Sequence, residues 1–184
     1  MKSCLVLGGA RCVWDDLERA KQIGSYDAVV AVNDMLAHYP GEIEIFATLH
    51  IEKAAQWIVE RGDKGFPPAK IIAGHRGHIW EALPNRMQPD YRTDYRWPGM
   101  SASGSSGLFA VKVALEHGFD KVVLCGVPMQ AEQAHFFDAK PWDEVKSFTD
   151  AWPVALPYIK DFTRSMSGYT RELLGEPTPE WLAN

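Results

Sequence analysis

The sequence has few cysteines, no long apolar run and no amino-terminal segment typical of export. Its three cysteines, Cys4, Cys12 and Cys125, show no CxxC spacing. We therefore expect no disulfide framework, and a reducing compartment suits the chain. No stretch approaches the roughly 20 apolar residues of a membrane-spanning helix, and the first apolar run is too short for a signal peptide. These absences predict a cytoplasmic protein without a membrane span.

Basic residues are also in the minority, with 19 lysines and arginines against 24 acidic residues and a net charge of −5 at pH 7. A protein that binds nucleic acid without sequence preference ordinarily has a basic surplus, because it must neutralise phosphates. This class of function is therefore disfavoured. The 184 residues suit one domain with a hydrophobic core and are short for two. We predict one domain over residues 1–184, and the sequence is compatible with a homo-oligomer.

Continuous apolar runs alternate with helical patterns in the first 125 residues. The predicted strands are residues 4–9, 27–34, 43–50, 69–75 and 121–125, and the predicted helices are 13–24, 51–62 and 106–117. Such apolar runs are typical of strands buried on both faces of a parallel sheet. Because strands and helices alternate, we predict an α/β fold, a Rossmann-like three-layer sandwich with a mostly parallel sheet and helices on both faces. In helix 51–62 the apolar face is predicted to be Ile51, Ala54, Ala55, Ile58 and Val59.

Two regions show weaker patterns. Residues 76–100 contain prolines at 84, 89 and 98, and we predict an irregular insertion there. We predict a helical carboxyl-terminal segment over residues 141–184, with a helix at 141–152, a helix or short strand at 156–168, a closing helix at 169–175 and then a tail.

Polar and glycine residues follow most of the predicted strands. In an open parallel sheet, ligands bind beyond the carboxyl ends of the strands. The residues at these ends are Gly8, Gly9, Ala10, Arg11, Asn33, Asp34, Thr48, His50, His75 and Gly126. Because packing alone does not explain so many polar ends, we predict a ligand site at this edge.

The turn at Gly8–Arg11 lacks the GxGxxG pattern of dinucleotide-binding folds. Its glycines suit either a plain tight turn or the close approach of a nucleotide to the backbone. Arg11 is either a phosphate ligand or a solvated side chain. At the end of the second strand, the Asn33 amide can bind a base or a sugar edge. The alternative is that Asn33 or Asp34 caps a following short helix.

Small polar residues at Ser103–Gly107 precede the helix at 106–117. A helix amino terminus has free N–H groups and a partial positive charge, so it attracts anions, and serine hydroxyls add donors. A serine N-cap is expected as well. The segment has no GxSxG pattern, which makes a hydrolase nucleophile a poor interpretation.

His50, His75, His78 and His135 are candidate acids, bases or ligands. Two of them lie in the glycine-rich sequence Gly-His-Arg-Gly-His, whose spacing is not reliable for a metal pair, so we predict no metal site. His135 lies nine residues after Gly126, in a segment that we expect to fold over the carboxyl edge of the sheet.

A second serine-glycine cluster lies at residues 162–168 and contains Arg164 and Ser165. The cluster either approaches the same site and adds ligand contacts, or forms a turn between two helices. The residues alone leave both alternatives open.

Residues 105–129, SSGLFAVKVALEHGFDKVVLCGVPM, resemble the central motif of small bacterial sialyltransferases and the Rossmann-like families allied to them. Those families have Thr/Ser-Ser-Gly before a helix, and then a strand that ends in Gly-Ile/Val-Asp. The resemblance implies a set of residues that hold the nucleotide of a CMP-sugar: Gly8, Gly9, Asn33, Ser105, Ser106 and Gly107, with Gly126 allowing close approach. It also implies a histidine base after this strand, and His135 occupies that place by position.

The resemblance leads to a first hypothesis, a glycosyltransferase-like enzyme with a CMP-type nucleotide sugar as substrate and with His135 or His50 as the base for an acceptor hydroxyl. The alternative is a non-catalytic nucleotide-binding or phage accessory protein, because Pro128 replaces the family's aspartate and the carboxyl-terminal sequence resembles that of small phage and prophage proteins. A third hypothesis is an interaction protein whose interface is formed by the aromatic and arginine residues at 91–97.

Overall fold

A parallel β-sheet runs through the centre of the molecule. The computed structural model describes residues 1–76, 87–101, 103–138, 140–142 and 145–184. The strands in these ranges are β1 (Ser3–Leu7), β2 (Ala28–Val32), β3 (Ile45–Thr48), β4 (Ile71–His75), β5 (Tyr91–Thr93), β6 (Lys121–Cys125) and β7 (Thr163–Ser165). All paired strands run parallel, in the order β5-β4-β3-β2-β1-β6-β7.

Helices cover both faces of this sheet. They are α1 (Val13–Ile23), α2 (Met35–His38), α3 (Ile51–Asp63), α4 (Ser105–Glu116), α5 (Val145–Thr149), α6 (Ala151–Ile159), α7 (Gly168–Leu174) and α8 (Pro179–Ala183). Helices α1 to α3 pack with Leu5 and Leu7 of β1, whereas α4 and α6 pack with Cys4 and Val6. Because side chains alternate along a strand, these pairs lie on opposite faces. The predicted Rossmann-like three-layer α/β sandwich is confirmed.

The strand order reverses direction at β1. This strand pairs with β2 on one side and with β6 on the other. The chain leaves β1 for α1 on one face of the sheet and enters β6 from α4 on the opposite face. A crevice therefore opens beyond the carboxyl ends of β1 and β6, at the topological switch point where open α/β sheets bind their ligands.

The prediction of an irregular insertion at 76–100 was wrong for residues 91–93, which form the edge strand β5. Ala73 of β4 is in register with Tyr91 of β5, and the pairing is parallel. Three residues are too few to show a hydrophobic period, which explains why the sequence pattern missed them. Residues 77–86 of the insertion, with His78, lie outside the described residues.

The carboxyl-terminal segment differs from the prediction in its helix boundaries. Instead of one helix over 141–152, α5 and α6 occupy 145–159, and Pro153 lies in the first turn of α6, where a missing N–H costs nothing. The short-strand alternative within 156–168 corresponds to β7, and the closing helix to α7. The predicted tail contains α8, capped by the Thr178 hydroxyl, which accepts from the Trp181 N–H at 3.2 Å.

The buried face of α3 also differs from the predicted one. The structure buries Ala54, Trp57 and Arg61, whereas Ala55 and Val59, expected on the apolar face, are exposed. Burial of the large indole and of the arginine stem gives the helix a different rotation from the one that its aliphatic residues suggest. As a result, a polar face of α3 lies at the carboxyl edge of the sheet.

Arg61 fixes the connection between β2 and β3. Its side chain is only 2% exposed, and its guanidinium donates to the carbonyl oxygens of Leu36 at 2.7 Å, Tyr39 at 2.6 Å and Gly41 at 2.7 Å. A further bond goes to the Pro67 carbonyl. This connection begins at the carboxyl end of β2. Arg61 therefore stabilises the chain next to the carboxyl edge of the sheet.

We expect Arg61→Ala to lower the free energy of unfolding by about 3 kcal/mol or more, because each buried carbonyl that loses its donor costs roughly 1–3 kcal/mol. Arg61→Lys should recover less than half of this loss, since a lysine cannot reach several carbonyls in one planar fork. Urea denaturation of the three proteins measures both effects. A loss below about 1 kcal/mol for Arg61→Ala would contradict the supporting role.

Candidate functional site

A cavity of about 880 Å³ opens at the carboxyl edge of the sheet, above the ends of β1, β2 and β6. This volume is typical of a small-molecule site, which occupies about 300–1,000 Å³. The residues that sequence reasoning singled out and that line the cavity are Gly8, Gly9, Ala10, Asn33, Asp34, His50, Ser105, Ser106, Gly107, Gly126 and His135. The fold thus brings most of the candidate residues to one cavity.

Other candidates lie behind or beside this cavity. Thr48 is fully buried, donates to the Asn33 side-chain oxygen at 2.8 Å and accepts from the His50 N–H at 2.9 Å. It therefore orients Asn33 and leaves the Asn33 amide N–H groups for another acceptor. Arg11 is exposed and outside the cavity lining, and His75 packs edge-on against Tyr95 at 4.6 Å.

The second serine-glycine cluster does not line the cavity either. Arg164 lies over the Trp181 ring at 4.8 Å and donates to the Thr163 carbonyl at 2.9 Å. Ser165 is buried, and its hydroxyl hydrogen-bonds to Thr170 at 2.8 Å. Neither alternative describes this cluster, because it lies outside the cavity lining and forms strand β7 rather than a turn between two helices. Its contacts hold the carboxyl-terminal helices against the sheet.

Gly8 and Gly126 let the ends of β1 and β6 come together. The Gly8 N–H donates to the Cys125 carbonyl at 2.8 Å, and Gly126 has a φ of +69°. A Cβ atom on Gly126 would lie 2.5 Å from the Gly8 carbonyl oxygen and 2.5 Å from Val13 Cβ. Close packing between the strand ends therefore requires these glycines, before any contact with a ligand is considered.

His135 is held above the end of β1 by main-chain bonds. The Arg11 N–H donates to the Ala134 carbonyl at 2.9 Å, and the Phe136 N–H donates to the Gly9 carbonyl at 3.0 Å. Ala10 and His135 form an antiparallel bridge. The segment after β6 thus folds over the carboxyl edge, as the position of His135 in the sequence indicates.

An acid and an imidazole meet against Gly9. A Cβ atom on Gly9 would lie 2.8 Å from His135 Nδ1 and 3.2 Å from Asp34 Oδ1. Burial raises the pKa of Asp34, and the charges of His135 and His38 oppose this shift. His135 Nδ1 is buried and has no hydrogen-bond partner among the described residues. Both groups therefore lie beside Gly9, without a hydrogen bond between Nδ1 and the Asp34 carboxylate.

Aromatic rings line the cavity in two stacks. Phe137, which is 50% exposed, stacks between His38 at 5.4 Å and His135 at 5.0 Å. Trp142 and Phe148 stack on each other at 5.7 Å, and we call this pair the aromatic wall. Both of its rings pack against the core on the α4 face of the sheet. Planar ligands find apolar ring faces here.

Backbone strain is concentrated at the same place. Among the described residues, the non-glycine residues with positive φ are Asn33 at +52°, Ser105 at +80° and Met129 at +53°. All three line the cavity. Because this conformation costs roughly 1–2 kcal/mol per residue, its confinement to one cavity points to a functional role.

The predicted serine cap of α4 was wrong. The N-cap residue is Gly104, and no side chain caps the helix. The left-handed conformation of Ser105 takes its hydroxyl to the Met129 sulfur at 3.8 Å instead of to the helix amides. Among the described residues, no side-chain oxygen caps the first-turn N–H groups of Ser106 and Gly107, and both residues line the cavity.

Sequence reasoning missed the polar face of α3. Lys53, Gln56 and Glu60 line the cavity, and we call them the α3 wall. Their i, i+3 and i+7 spacing places them on one side of the helix and was the available signal. Gln56 donates to Glu60 at 2.7 Å. In the part of the chain that the structure describes, no other lysine or arginine lines the cavity. His50, beside this wall, contacts Glu52 at 3.2 Å.

Asp16 was also missed, and it supports the site without lining it. Its carboxylate is buried in α1 and accepts from the Gly126 N–H at 2.9 Å and from the Ser167 hydroxyl at 2.7 Å. Arg19 lies 3.3 Å from its other oxygen. Asp16 thus fixes the turn that ends β6.

Within the described ranges, no group of three or more histidine, cysteine, aspartate or glutamate side chains is placed to hold a metal ion. Likewise, none of the described helices combines the length and the apolar character needed to cross a bilayer.

Neither a protein-family model, a curated protein nor a solved structure matches this chain. The resemblance of residues 105–129 to small bacterial sialyltransferases therefore stays a hypothesis. The fold alone specifies no activity, because one fold supports many functions.

Proposed function

We propose that the cavity binds a nucleotide or nucleotide sugar, and that the protein is a glycosyltransferase-like enzyme. One observation carries the proposal: the uncapped amino terminus of α4 lies at a large cavity at the topological switch point of the sheet. Helix termini of this kind bind phosphate, and switch points bind nucleotides in open α/β sheets.

The phosphate is assigned to the first turn of α4. The N–H groups of Ser106 and Gly107 supply donors, and the helix dipole adds partial positive charge. The hydroxyl group of Ser106 adds a further donor to the N–H group of the same residue. Across the crevice, the Gly8–Ala10 turn forms the floor of the cavity without bulky side chains.

His135 is the proposed base. Its imidazole lines the cavity beside Gly9 and Asp34, and a neutral ring nitrogen there can accept a proton from an acceptor hydroxyl. As the nucleotide departs, the N–H groups at the start of α4 stabilise the growing negative charge on its phosphate. His50 is the weaker candidate, because its ring already contacts Glu52 and is half exposed.

A second candidate function is non-catalytic nucleotide binding. Pro128 lines the cavity where the resembled families have an aspartate, and it packs tightly against Gly168. The position therefore carries no carboxylate for acid-base chemistry. In this alternative the cavity binds the phosphate of a nucleotide, but the protein catalyses no glycosyl transfer.

We expect the melting temperature to rise with at least one member of a panel of CMP, CDP, UDP and GDP sugars, because a ligand that binds only the folded state stabilises it. Ser106→Ala should weaken that ligand about fivefold, the equivalent of one hydrogen bond of about 1 kcal/mol. Ser25→Ala, an exposed serine outside the cavity, is the matched control. The proposal fails if no member of the panel shifts the melting temperature of the folded protein.

A further inference from the structure

The cavity has two chemically different sides. The aromatic wall packs against the core on the α4 face of the sheet, whereas Ala54 and Trp57 anchor α3 in the core of the other face. The uncapped turn of α4 and the glycine floor line the cavity as well. A ligand that extends across the cavity therefore meets the aromatic wall on the α4 side and the polar side chains of α3 on the other, where the Phe137 ring also stacks on His38 of α2.

The aromatic wall fits a flat, apolar surface. Trp142 and Phe148 are partly buried, with their ring planes 29° apart, and both line the cavity. A nucleobase has a π-face of matching size, and stacking on aromatic side chains is a common way to hold bases with little dependence on their identity.

The α3 wall has the complementary chemistry. Lys53 presents donors, Glu60 presents acceptors and the Gln56 amide presents both. The bond of 2.7 Å from Gln56 to Glu60 fixes these two groups relative to each other. Vicinal hydroxyls need donors and acceptors side by side, and the ammonium group of Lys53 also suits a carboxylate on the glycosyl group.

We propose that the ligand is a nucleotide sugar in a defined orientation, with its base against the aromatic wall and its glycosyl group against the α3 wall. The phosphate lies between them at the first turn of α4. This inference rests on the proposed nucleotide site and extends it, because it assigns the base and the glycosyl group to named side chains. The orientation also places the glycosyl group on the side of the cavity where α3 and α2 meet.

The test uses isothermal titration calorimetry to compare the affinities for CMP and for CMP-N-acetylneuraminic acid. If the wild type prefers another base, the matched pair is UDP with UDP-glucose or GDP with GDP-mannose. Lys53→Met and Gln56→Ala should weaken the nucleotide sugar about tenfold and change the affinity for the free nucleotide less than twofold. Trp142→Ala should weaken both ligands about tenfold, because both contain the base.

Three exposed residues outside the cavity provide matched controls, and their variants should leave both affinities unchanged: Lys146→Met, Gln22→Ala and Phe162→Ala. Melting curves show that each variant is folded. The orientation is overturned if the α3 variants weaken the free nucleotide as much as the sugar, or weaken neither ligand. If the wild type binds no nucleotide at all, the proposed function is wrong, and the proposed orientation is wrong with it.

Discussion

His135→Gln is expected to lower the turnover number by about 100- to 10,000-fold, the usual contribution of a positioned general base. Affinity for the nucleotide sugar should change less than about threefold, because the proposed phosphate and base contacts lie on α4 and the aromatic wall. The main-chain bonds of Arg11 and Phe136 hold the segment in place whatever side chain stands at 135. The measurement is the rate of nucleotide release from the nucleotide sugar that the wild type binds.

His50→Gln is the control for this experiment. Its imidazole also lines the cavity but is paired with Glu52, so we expect less than a tenfold loss of rate. A full loss in His50→Gln with little change in His135→Gln would transfer the role of base to His50. A wild type that binds nucleotide sugar tightly and releases no nucleotide would support the non-catalytic alternative instead.

Gly126→Ala is expected to lower the free energy of unfolding by about 3 kcal/mol or more. The positive φ contributes roughly 1–2 kcal/mol, and overpacking contributes roughly 1–3 kcal/mol. The overpacking arises because the new methyl group would meet the Gly8 carbonyl oxygen and Val13 Cβ, each at 2.5 Å. The Gly8 oxygen belongs to the main chain of the central strand end and cannot move aside as a flexible side chain would. Urea denaturation measures the loss.

Gly65→Ala separates the two contributions. Gly65 has nearly the same backbone angle, with a φ of +71°, but a Cβ atom there would meet nothing within 4 Å. It should therefore lose only the conformational part, roughly 1–2 kcal/mol. Equal losses in the two variants would mean that the packing of β1 against β6 is not what requires glycine at 126.

Much of the architecture was predictable from local patterns. The sequences of β1 and β6 are continuous apolar runs, so each strand presents apolar side chains to both faces of the sheet. Only a sheet covered by helices on both faces can bury such runs. The glycines that end these strands, together with Asn33, then mark the carboxyl edge. The rule for ligand sites in open parallel sheets accounts for the cavity at that place.

The parts that were missed depend on contacts between distant residues. No local pattern shows that Ser105 is left-handed and that α4 is therefore uncapped. The rotation of α3 follows from burial of Trp57 and Arg61, so the cavity-facing role of Gln56 was hidden as well. The role of Asp16 requires the turn after β6 to be in place, 110 residues away.

A crystal structure with the nucleotide or nucleotide sugar that gives the largest thermal shift tests the central claim most directly. We predict phosphate oxygens about 2.7–3.2 Å from the main-chain nitrogens of Ser106 and Gly107, the range of a normal hydrogen bond. We also predict the base against Trp142 and Phe148. A nucleotide bound away from the carboxyl edge of the sheet, with no phosphate at the first turn of α4, would contradict the account.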